Sequence, residues 1–475
     1  MLTLDYANCI SDRVGEHGLD PARVDPAGRP AAGIARLTES LEKSAGTGWE
    51  RWRDLWADPM RFEHTTAVHE LSKQLRADTR FENMIVLGIG GSALGNIAIH
   101  NALNPSTYNL MDRGPNKGQR RGPRLFVVDN VDPANLAAVL SVCDPAKTLF
   151  NVVSKSGETA ETAAQFMIIR DILAKALGDK AHEHVVAITD PEKGTMRQIC
   201  DEAGYATLPV PEGVGGRFSA LSPVGLFSAA MTGIDIDDLL DGAAAMDQRC
   251  RRADLHTNPA AMLAFLLVDL GTRKGKTNHV LMPYANALYS LADWFRQLWA
   301  ESLGKRFDND GEEVFTGFTP IKALGTTDQH SQVQLYREGP NDKVFGFLEV
   351  AEFDSDITIP TGLGVENLKY LEGKSMTALL NAEKRATEFA LVDSSRPNFT
   401  IRFPKIDAHH VGEFMALFQI ATAYAGLMLN IDAYDQPAVE TGKKATFGLM
   451  GREGFEEWLG KVDRTLAKTD RVITK

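Results

Sequence analysis

Residues 84–92 of this 475-residue chain read MIVLGIGGS, an apolar run that ends in a glycine-rich turn. A second segment of the same design, LFNVVSKSGET, occupies residues 149–159. Each apolar run predicts a buried strand, and each turn is followed by a helical pattern. Both turns are therefore expected at the carboxyl ends of strands, where open α/β sheets bind their ligands.

Strands and helices alternate in two regions of the chain. In the first region we predict strands at Met84 to Leu87, Leu125 to Val128, Leu149 to Val153 and Val185 to Thr189. In the second we predict strands at His279 to Met282, Val344 to Val350 and Phe399 to Phe403, and helices at Asn286 to Leu303 and Val411 to Leu429. Alternation of this kind is typical of crossover units that build parallel sheets, so the fold class is α/β.

A chain of this length exceeds what one hydrophobic core supports, so two main domains are expected. The stretch 233–259 is acidic and helical, and we interpret it as the connection between them. The predicted organisation is a helical N-terminal extension (1–50), a first α/β domain (51–232), the helical connection (233–259), a second α/β domain (260–430) and a C-terminal segment with a helix (431–475).

The composition is that of a folded enzyme-sized protein, with 44% hydrophobic and 24% charged residues. A net charge of −12 repels polyanions, so nucleic acid is not an expected partner. Four widely spaced cysteines indicate reduced thiols, and no zinc-type ligand spacing is present. We see no secretory signal and no apolar run long enough to cross a membrane, since Ala260 to Val268 reads as a buried core helix. The expectation is a cytoplasmic protein without metal or cofactor.

The turn at Ser154 to Thr159 combines three hydroxyls with Gly157 where a strand becomes a helix. The amino end of a helix offers unpaired N–H groups and a partial positive charge, which suit a phosphate. The plainer alternative is a hydroxyl that caps the helix. A phosphate-binding loop and a simple helix cap both remain open on these residues alone.

Two other glycine motifs fit nucleotide-binding patterns only partly. Residues 88–93 match the dinucleotide fingerprint G-x-G-x-x-G/A, but the acidic residue expected about 20 residues later is missing. Residues 271–277 end like a P-loop but have three residues between the glycines, and they follow a helical pattern. We interpret the first as a tight turn and the second as an exposed basic turn.

Gln297 and Glu301 lie four residues apart on one face of the predicted helix Asn286 to Leu303. A solvated face with a Glu301–Lys305 pair is the plain interpretation. The functional interpretation is that Glu301 serves as a general base. The carboxyl end of a helix disfavours a negative charge, and this favours uptake of a proton by the carboxylate. His330 lies in a polar stretch, 325–332, where an isolated surface histidine is the default.

Five blocks occur in the order found in the glucose-6-phosphate isomerase family, and together they make the chain resemble that family from about residue 50 to residue 450. The blocks are Leu87 to Ser92, Ser154 to Thr159, Gly213 to Ser219, Gln297 to Ser302 and Tyr434 to Lys443. The resemblance implies two sugar-isomerase-type three-layer α/β/α domains and a homodimer whose partner subunit completes each active site.

The resemblance also implies a role for each matching residue. Glu301 matches the base that moves a proton between C1 and C2 through a cis-enediol, and Arg217 matches the arginine that steadies the enediolate. His330 and Lys443 match the pair that opens the sugar ring, with the histidine coming from the partner subunit. The implied substrate contacts are Gly91, Ser92, Ser154, Lys155, Ser156, Thr159, Gln297 and Gln436.

The expected activity is therefore reversible conversion of glucose 6-phosphate to fructose 6-phosphate. A related isomerase acting on mannose 6-phosphate is an alternative, because epimer discrimination depends on the pocket's hydrogen-bond geometry. A sugar-phosphate-binding regulator would keep the phosphate loop but would need neither base nor arginine. A nicotinamide-dependent dehydrogenase would need the acid that is missing after residues 88–93.

Overall fold

The computed structural model describes residues 1–466, which form two compact units, one of residues 1–433 and one that begins at Tyr434. The strands are β1 Thr3–Asp5, β2 Asn83–Leu87, β3 Arg124–Val128, β4 Thr148–Val153, β5 Val185–Thr189, β6 Ala206–Pro209, β7 Asn278–Pro283, β8 Lys305–Phe307, β9 Glu313–Thr316, β10 Thr319–Lys322, β11 Lys343–Glu352 and β12 Asn398–Lys405. The boundary predicted between two α/β domains inside the first unit stays a prediction.

Helices connect most of these strands. They are α1 Ser11–Val14, α2 Arg29–Ser44, α3 Met60–Ala77, α4 Gly91–Leu103, α5 Pro133–Val142, α6 Ala160–Leu177, α7 Thr195–Ala203, α8 Pro223–Met231, α9 Ile236–Cys250, α10 Pro259–Lys274, α11 Tyr289–Leu303, α12 Val333–Glu338, α13 Met376–Asp393, α14 Ala408–Met428, α15 Val439–Leu449 and α16 Glu456–Thr465. All seven strands predicted from the sequence are confirmed, with small shifts at their ends.

The first sheet is fully parallel, in the order β3-β2-β4-β5-β6. Strand order reverses between β2 and β4, where Leu87 lies beside Val152. The glycine turn that follows β2 and the hydroxyl-rich turn that follows β4 therefore leave neighbouring strands at the same edge of the sheet. This is the position at which open α/β sheets bind ligands.

The second sheet has the order β1-β12-β11-β7-β10, and its strands β7, β10, β11 and β12 are parallel to one another. Strand β1 runs antiparallel to β12, so the N-terminal segment contributes an edge strand as well as helices. Helix α11 starts after β7, where strand order again reverses. The candidate base Glu301 is thus carried on the helix that follows β7, a strand with neighbours on both sides.

Two helices, α10 and α14, are almost completely buried. Residues Pro259–Gly271 of α10 are buried, which confirms the core helix predicted at Ala260 to Val268. Contrary to the expectation that no segment is long and apolar enough to cross a membrane, helix α14 is so by length and composition, but 89% of its apolar window is buried inside the protein. It packs against α9 and α10, as a core helix does.

The basic turn after α10 differs from its prediction. The helix ends at Lys274 and is followed by Gly275 in a left-handed conformation (φ +66°), which suits glycine. Lys276 is not exposed but fully buried, and its Nζ donates to the main-chain and side-chain oxygens of Asn341 at 2.5 and 2.7 Å. The prediction of an exposed turn was wrong for this residue because a long aliphatic stem allows burial wherever the ammonium finds acceptors.

Candidate active site

The glycine turn after β2 packs against two other elements. Helix α4 starts at Gly91, and a Cβ added there would lie 2.1 Å from the carbonyl oxygen of Gly216. A Cβ on Gly90, which has φ +57°, would lie 2.9 Å from Nε2 of Gln297. The turn therefore needs glycine at both positions, and it brings α11 and the segment around Gly216 together.

Arg217 lies in the short 3-10 helix Gly216–Leu221, and its side chain is nearly fully buried. Its Nε donates to Oγ of Ser302 at 2.7 Å, and its Nη2 donates to the carbonyl oxygen of Ala433 at 2.6 Å. These two bonds orient the planar guanidinium from two sides. Its Nη1 faces Glu301, with 3.7 Å to Oε1.

The backbone that carries Arg217 is held by its neighbour Phe218. The ring of Phe218 stacks on Trp52 with 5.0 Å between centroids, and its carbonyl oxygen accepts a bond of 2.9 Å from Nε2 of Gln419. Gln419 is fully buried on α14. Ser302, Gln419 and Trp52 therefore support the site, and the sequence analysis assigned no role to them.

Glu301 is half-buried, with 28% of its side chain exposed. Nε2 of Gln297 donates to its Oε2 at 3.1 Å, so the two residues predicted on one helix face are in contact. Nζ of Lys305 donates to the main-chain oxygens of Glu301 and Ser302 at 3.1 and 3.0 Å. This lysine thus places a cation on the carboxyl end of α11, where carbonyl groups lack helical partners.

The loop after β4 is organised by its own hydroxyls. Oγ of Ser154 accepts from the N–H of Gly157 at 3.0 Å, and Oγ of Ser156 accepts from the N–H of Glu158 at 3.1 Å. Gly157 has φ +79°, and a Cβ there would lie 2.4 Å from the main-chain nitrogen of Met196. The tight curvature of the loop therefore depends on this glycine.

Helix α6 begins after this loop with Thr159 at its N-cap. The Thr159 hydroxyl makes no capping bond, so the plain helix-cap alternative does not describe this residue. Ser156 and Thr159 are exposed, and the ammonium of Lys155 lies 5.4 Å from the ring centre of Trp49. The loop thus presents two hydroxyls and a helix amino end that suit an anion.

His330, Gln436 and Lys443 are the other residues predicted to take part in catalysis or substrate binding. His330 is the exposed last residue of the 3-10 helix Thr327–His330, and within residues 1–466 no hydrogen bond or ion pair joins it to Glu301 or Arg217. Gln436 and Lys443 belong to the second unit, where Nζ of Lys443 lies 2.7 Å from Oε1 of Glu440. The roles of these three residues stay predictions. In the described part of the chain, no cluster of His, Cys, Asp and Glu side chains is suited to a metal ion.

Comparison with known proteins gives the following matches. A family model for phosphoglucose isomerase matches residues 63–450. The glucose-6-phosphate isomerase of Carboxydothermus hydrogenoformans is 48% identical over 396 residues, 83% of this chain and 84% of that protein. The glucose-6-phosphate isomerase of Rubrobacter xylanophilus is 42% identical and covers 96% of this chain and 99% of its own length.

Solved structures agree with the α/β architecture. A hypothetical protein from Thermus thermophilus has a TM-score of 0.82 at 34% identity, and the match covers 95% of this chain and 100% of that one. A glucose-6-phosphate isomerase from Chlamydia trachomatis has a TM-score of 0.78 at 22% identity, covering 98% of this chain and 92% of its own. The predicted fold, with mainly parallel sheets, is confirmed.

Proposed function

Because the chain belongs to the phosphoglucose isomerase family, we propose that it interconverts glucose 6-phosphate and fructose 6-phosphate. The observation that carries this proposal is the pair formed by Glu301 and Arg217, whose Oε1 and Nη1 atoms lie 3.7 Å apart. A carboxylate and a buried cation at this distance supply both a proton acceptor and a fixed positive charge. Aldose–ketose isomerisation through an enediolate uses a proton acceptor and a positive charge that stabilises the intermediate.

Glu301 is the base of the proposed reaction. It takes the proton from C2 of the open-chain aldose, and the electron pair of that C–H bond forms an enediolate between C1 and C2. The same carboxyl then returns the proton to C1 while the proton of the C2 hydroxyl passes to O1, so the C2 oxygen becomes the carbonyl, O1 becomes a hydroxyl, and the reaction consumes no cofactor and no other reactant. The hydrogen bond from Gln297 orients the carboxylate, which is what a positioned base requires.

Arg217 stabilises the enediolate. Negative charge develops on the oxygens only as the proton leaves, so a guanidinium already oriented by Ser302 and Ala433 stabilises the transition state more than the bound sugar. Its near-complete burial strengthens this effect, because few water molecules screen the charge.

The phosphate group of the sugar is proposed to bind the loop Ser154 to Thr159, with Lys155 as a further cation and with Gly91 and Ser92 contacting the sugar. Adjacent strand ends support this arrangement, since β2 and β4 are paired up to Leu87 and Val152. Gln436 is proposed as a second substrate-orienting amide. His330 and Lys443 are proposed to open the ring by moving protons between the ring oxygen and the C1 hydroxyl.

The family resemblance supports a homodimer in which the partner subunit supplies His330. The exposure of His330 fits such a role, because a residue that serves a neighbouring subunit must be reachable from outside its own. A cytoplasmic location is proposed as well, since the four cysteines are all free and buried.

A coupled assay of the purified protein tests the proposed activity. Fructose 6-phosphate is supplied, and the glucose 6-phosphate formed is oxidised by a dehydrogenase whose reduced nicotinamide is followed by absorbance. Parallel reactions contain a chelator, which should change nothing, or mannose 6-phosphate as the competing substrate. A protein that binds fructose 6-phosphate without turnover would be a sugar-phosphate-binding regulator, and the proposal would fail.

A further inference from the structure

An open pocket of about 670 Å³ lies between the carboxyl end of α3 and the loop that precedes β3. Its lining carries four cationic side chains, Lys73, Arg76, Arg113 and Arg121. Among residues 1–466, no carboxylate lies within ion-pair distance of any of these four. His69 also lines the pocket, but it is paired with Asp237 at 2.8 Å and is not counted with them. A concentration of unpaired positive charge is unexpected in a chain of net charge −12.

Neutral main-chain oxygens hold two of these arginines in place. Nη1 and Nη2 of Arg113 donate to the carbonyl oxygens of Phe81 and Arg76, each at 2.8 Å. Nη2 of Arg76 donates to the carbonyl oxygen of Arg121 at 3.1 Å. These bonds orient the guanidinium groups without pairing either of them with a carboxylate, so the cations repel one another. Partial burial lowers the pKa of Arg113, and the nearby charge of Arg76 also lowers it, whereas Tyr108 and the carboxylates of Asp78 and Glu82 raise it.

The pocket lies at the opposite end of the first sheet from the candidate active site. Arg113 bonds to Phe81, two residues before β2 begins, whereas the glycine turn follows the end of β2 at Leu87. A strand of five residues spans about 16 Å. The cationic pocket and the loop Ser154 to Thr159 are therefore two separate places for an anion.

We propose that this pocket binds a small multivalent anion that carries two or more linked phosphate groups. Its volume lies within the range of about 300–1,000 Å³ typical of small-molecule sites. Four cations around one pocket exceed what a single phosphate neutralises, and guanidinium groups match phosphate oxygens in geometry. Linked phosphates would relieve the repulsion among the cations. The inference does not depend on the proposed isomerase activity.

Isothermal titration of the full chain with inorganic triphosphate, in metal-free buffer and with saturating fructose 6-phosphate, tests the site. We expect one triphosphate per chain and a marked loss of affinity as salt is raised, because screening weakens charge pairs. Replacing two exposed lining residues, in the double variant Lys73→Glu and Arg121→Glu, should weaken binding by about tenfold or more, equivalent to about 1.4 kcal/mol. The double variant Lys43→Glu and Lys180→Glu makes the same change of charge on exposed residues outside the pocket, and it should keep most of the affinity.

Three results would overturn the inference. Displacement of triphosphate by fructose 6-phosphate would place the binding at the active site. Equal weakening in both double variants would show a general charge effect. Orthophosphate binding as tightly as triphosphate would remove the need for linked phosphates. If the protein does not bind fructose 6-phosphate, the proposed function fails. The triphosphate affinities of the two double variants would still show whether triphosphate binds in this pocket.

Discussion

Glu301 receives a hydrogen bond from Gln297 on one oxygen and faces Arg217 with the other. We expect Glu301→Gln to lower kcat by about 100- to 10,000-fold, the range associated with a lost general base. Binding of fructose 6-phosphate, measured by titration calorimetry, should stay nearly unchanged because the amide keeps the size of the carboxylate. Glu338→Gln, an exposed change at the end of α12, serves as the control. Unchanged turnover in Glu301→Gln would refute its role as base.

Substitutions of Arg217 test its role in stabilising the transition state. Arg217→Ala should lower kcat by about 100-fold or more while KM changes much less, because its contact with the substrate strengthens in the transition state. Arg217→Lys should recover only part of the loss, since an ammonium cannot bond to Ser302 and Ala433 and still present a fork to the substrate. If kcat stays constant while KM rises, Arg217 is a binding residue only.

Ser302 is a positioning residue for Arg217. Removing its hydroxyl in Ser302→Ala leaves Nε of Arg217 without its acceptor, at a cost of about 1.5–3 kcal/mol for a bond to a charged group. We expect kcat to fall about tenfold with little change in KM. Ser290→Ala removes a hydroxyl from the same helix at its other end and should leave kcat unchanged. A loss of thermal stability without a change in kcat would show that Ser302 is structural only.

Residue types and spacing predicted Gln297 and Glu301 on one helix face, and their contact follows from the helical repeat. The sequence did not reveal the supporting roles of Ser302, Gln419 and Trp52, because their partners are distant in the chain. Ser302 and Arg217 are 85 residues apart, and Gln419 and Phe218 are 201 residues apart. A signal did exist for Gln419, which is a glutamine inside the apolar helix α14. Buried amides need partners, so its position pointed to a polar contact within the core.

Helix α11 is anchored to strand β7 through His279. Nε1 of Trp299, two residues before Glu301, donates to Nδ1 of His279 at 3.0 Å. The other ring nitrogen lies 3.1 Å from the carbonyl oxygen of Lys276 and therefore carries the proton. Complete burial lowers the pKa of His279 to about 3, so the imidazole stays neutral in the folded protein.

This anchor makes stability sensitive to acid. Between pH 6.5 and pH 3 the unfolded chain binds a proton at His279 that the folded chain does not, so the stabilisation by neutral His279 is lost as the pH falls through this window. At pH 7, His279→Phe should destabilise by about 1–3 kcal/mol through its lost hydrogen bonds. The difference in the free energy of unfolding between wild type and variant should become smaller below pH 6, as measured by urea unfolding at pH 7 and pH 4.5. The exposed His182→Gln is the control, and a difference that does not vary with pH would contradict this account.

Strand prediction succeeded where a strand is wholly buried and mainly apolar, as in β2, β4 and β5. It missed β1, β6 and β10, which have three or four residues each and mixed polarity. Such short segments become strands because an edge of an existing sheet offers them hydrogen bonds, as β12 does for β1. Helix α13 was missed as well, although its N-cap Ser375 is a recognisable start signal.

The proposed homodimer can be tested with dimers that combine two different variant subunits. If His330 serves the partner's site, Glu301→Gln and His330→Ala are each inactive as pure dimers. Unfolded together and refolded, they should form hybrids with one intact site and one site that lacks both residues. Random pairing makes half of the dimers hybrids, so the mixture should regain roughly a quarter of wild-type activity. An inactive mixture would place His330 in the site of its own subunit, and sedimentation equilibrium provides the check on dimer formation.

The sequence alone determined the α/β class, the two turns at strand ends and the family, because strand periodicity, glycine turns and short motifs are local properties of the chain. Tertiary structure decided which turns are neighbours and which side chains orient Arg217. Those contacts join residues up to 216 positions apart, as between Arg217 and Ala433. Local pattern carries no information about such pairings, since they depend on how elements that are distant in the chain pack against one another.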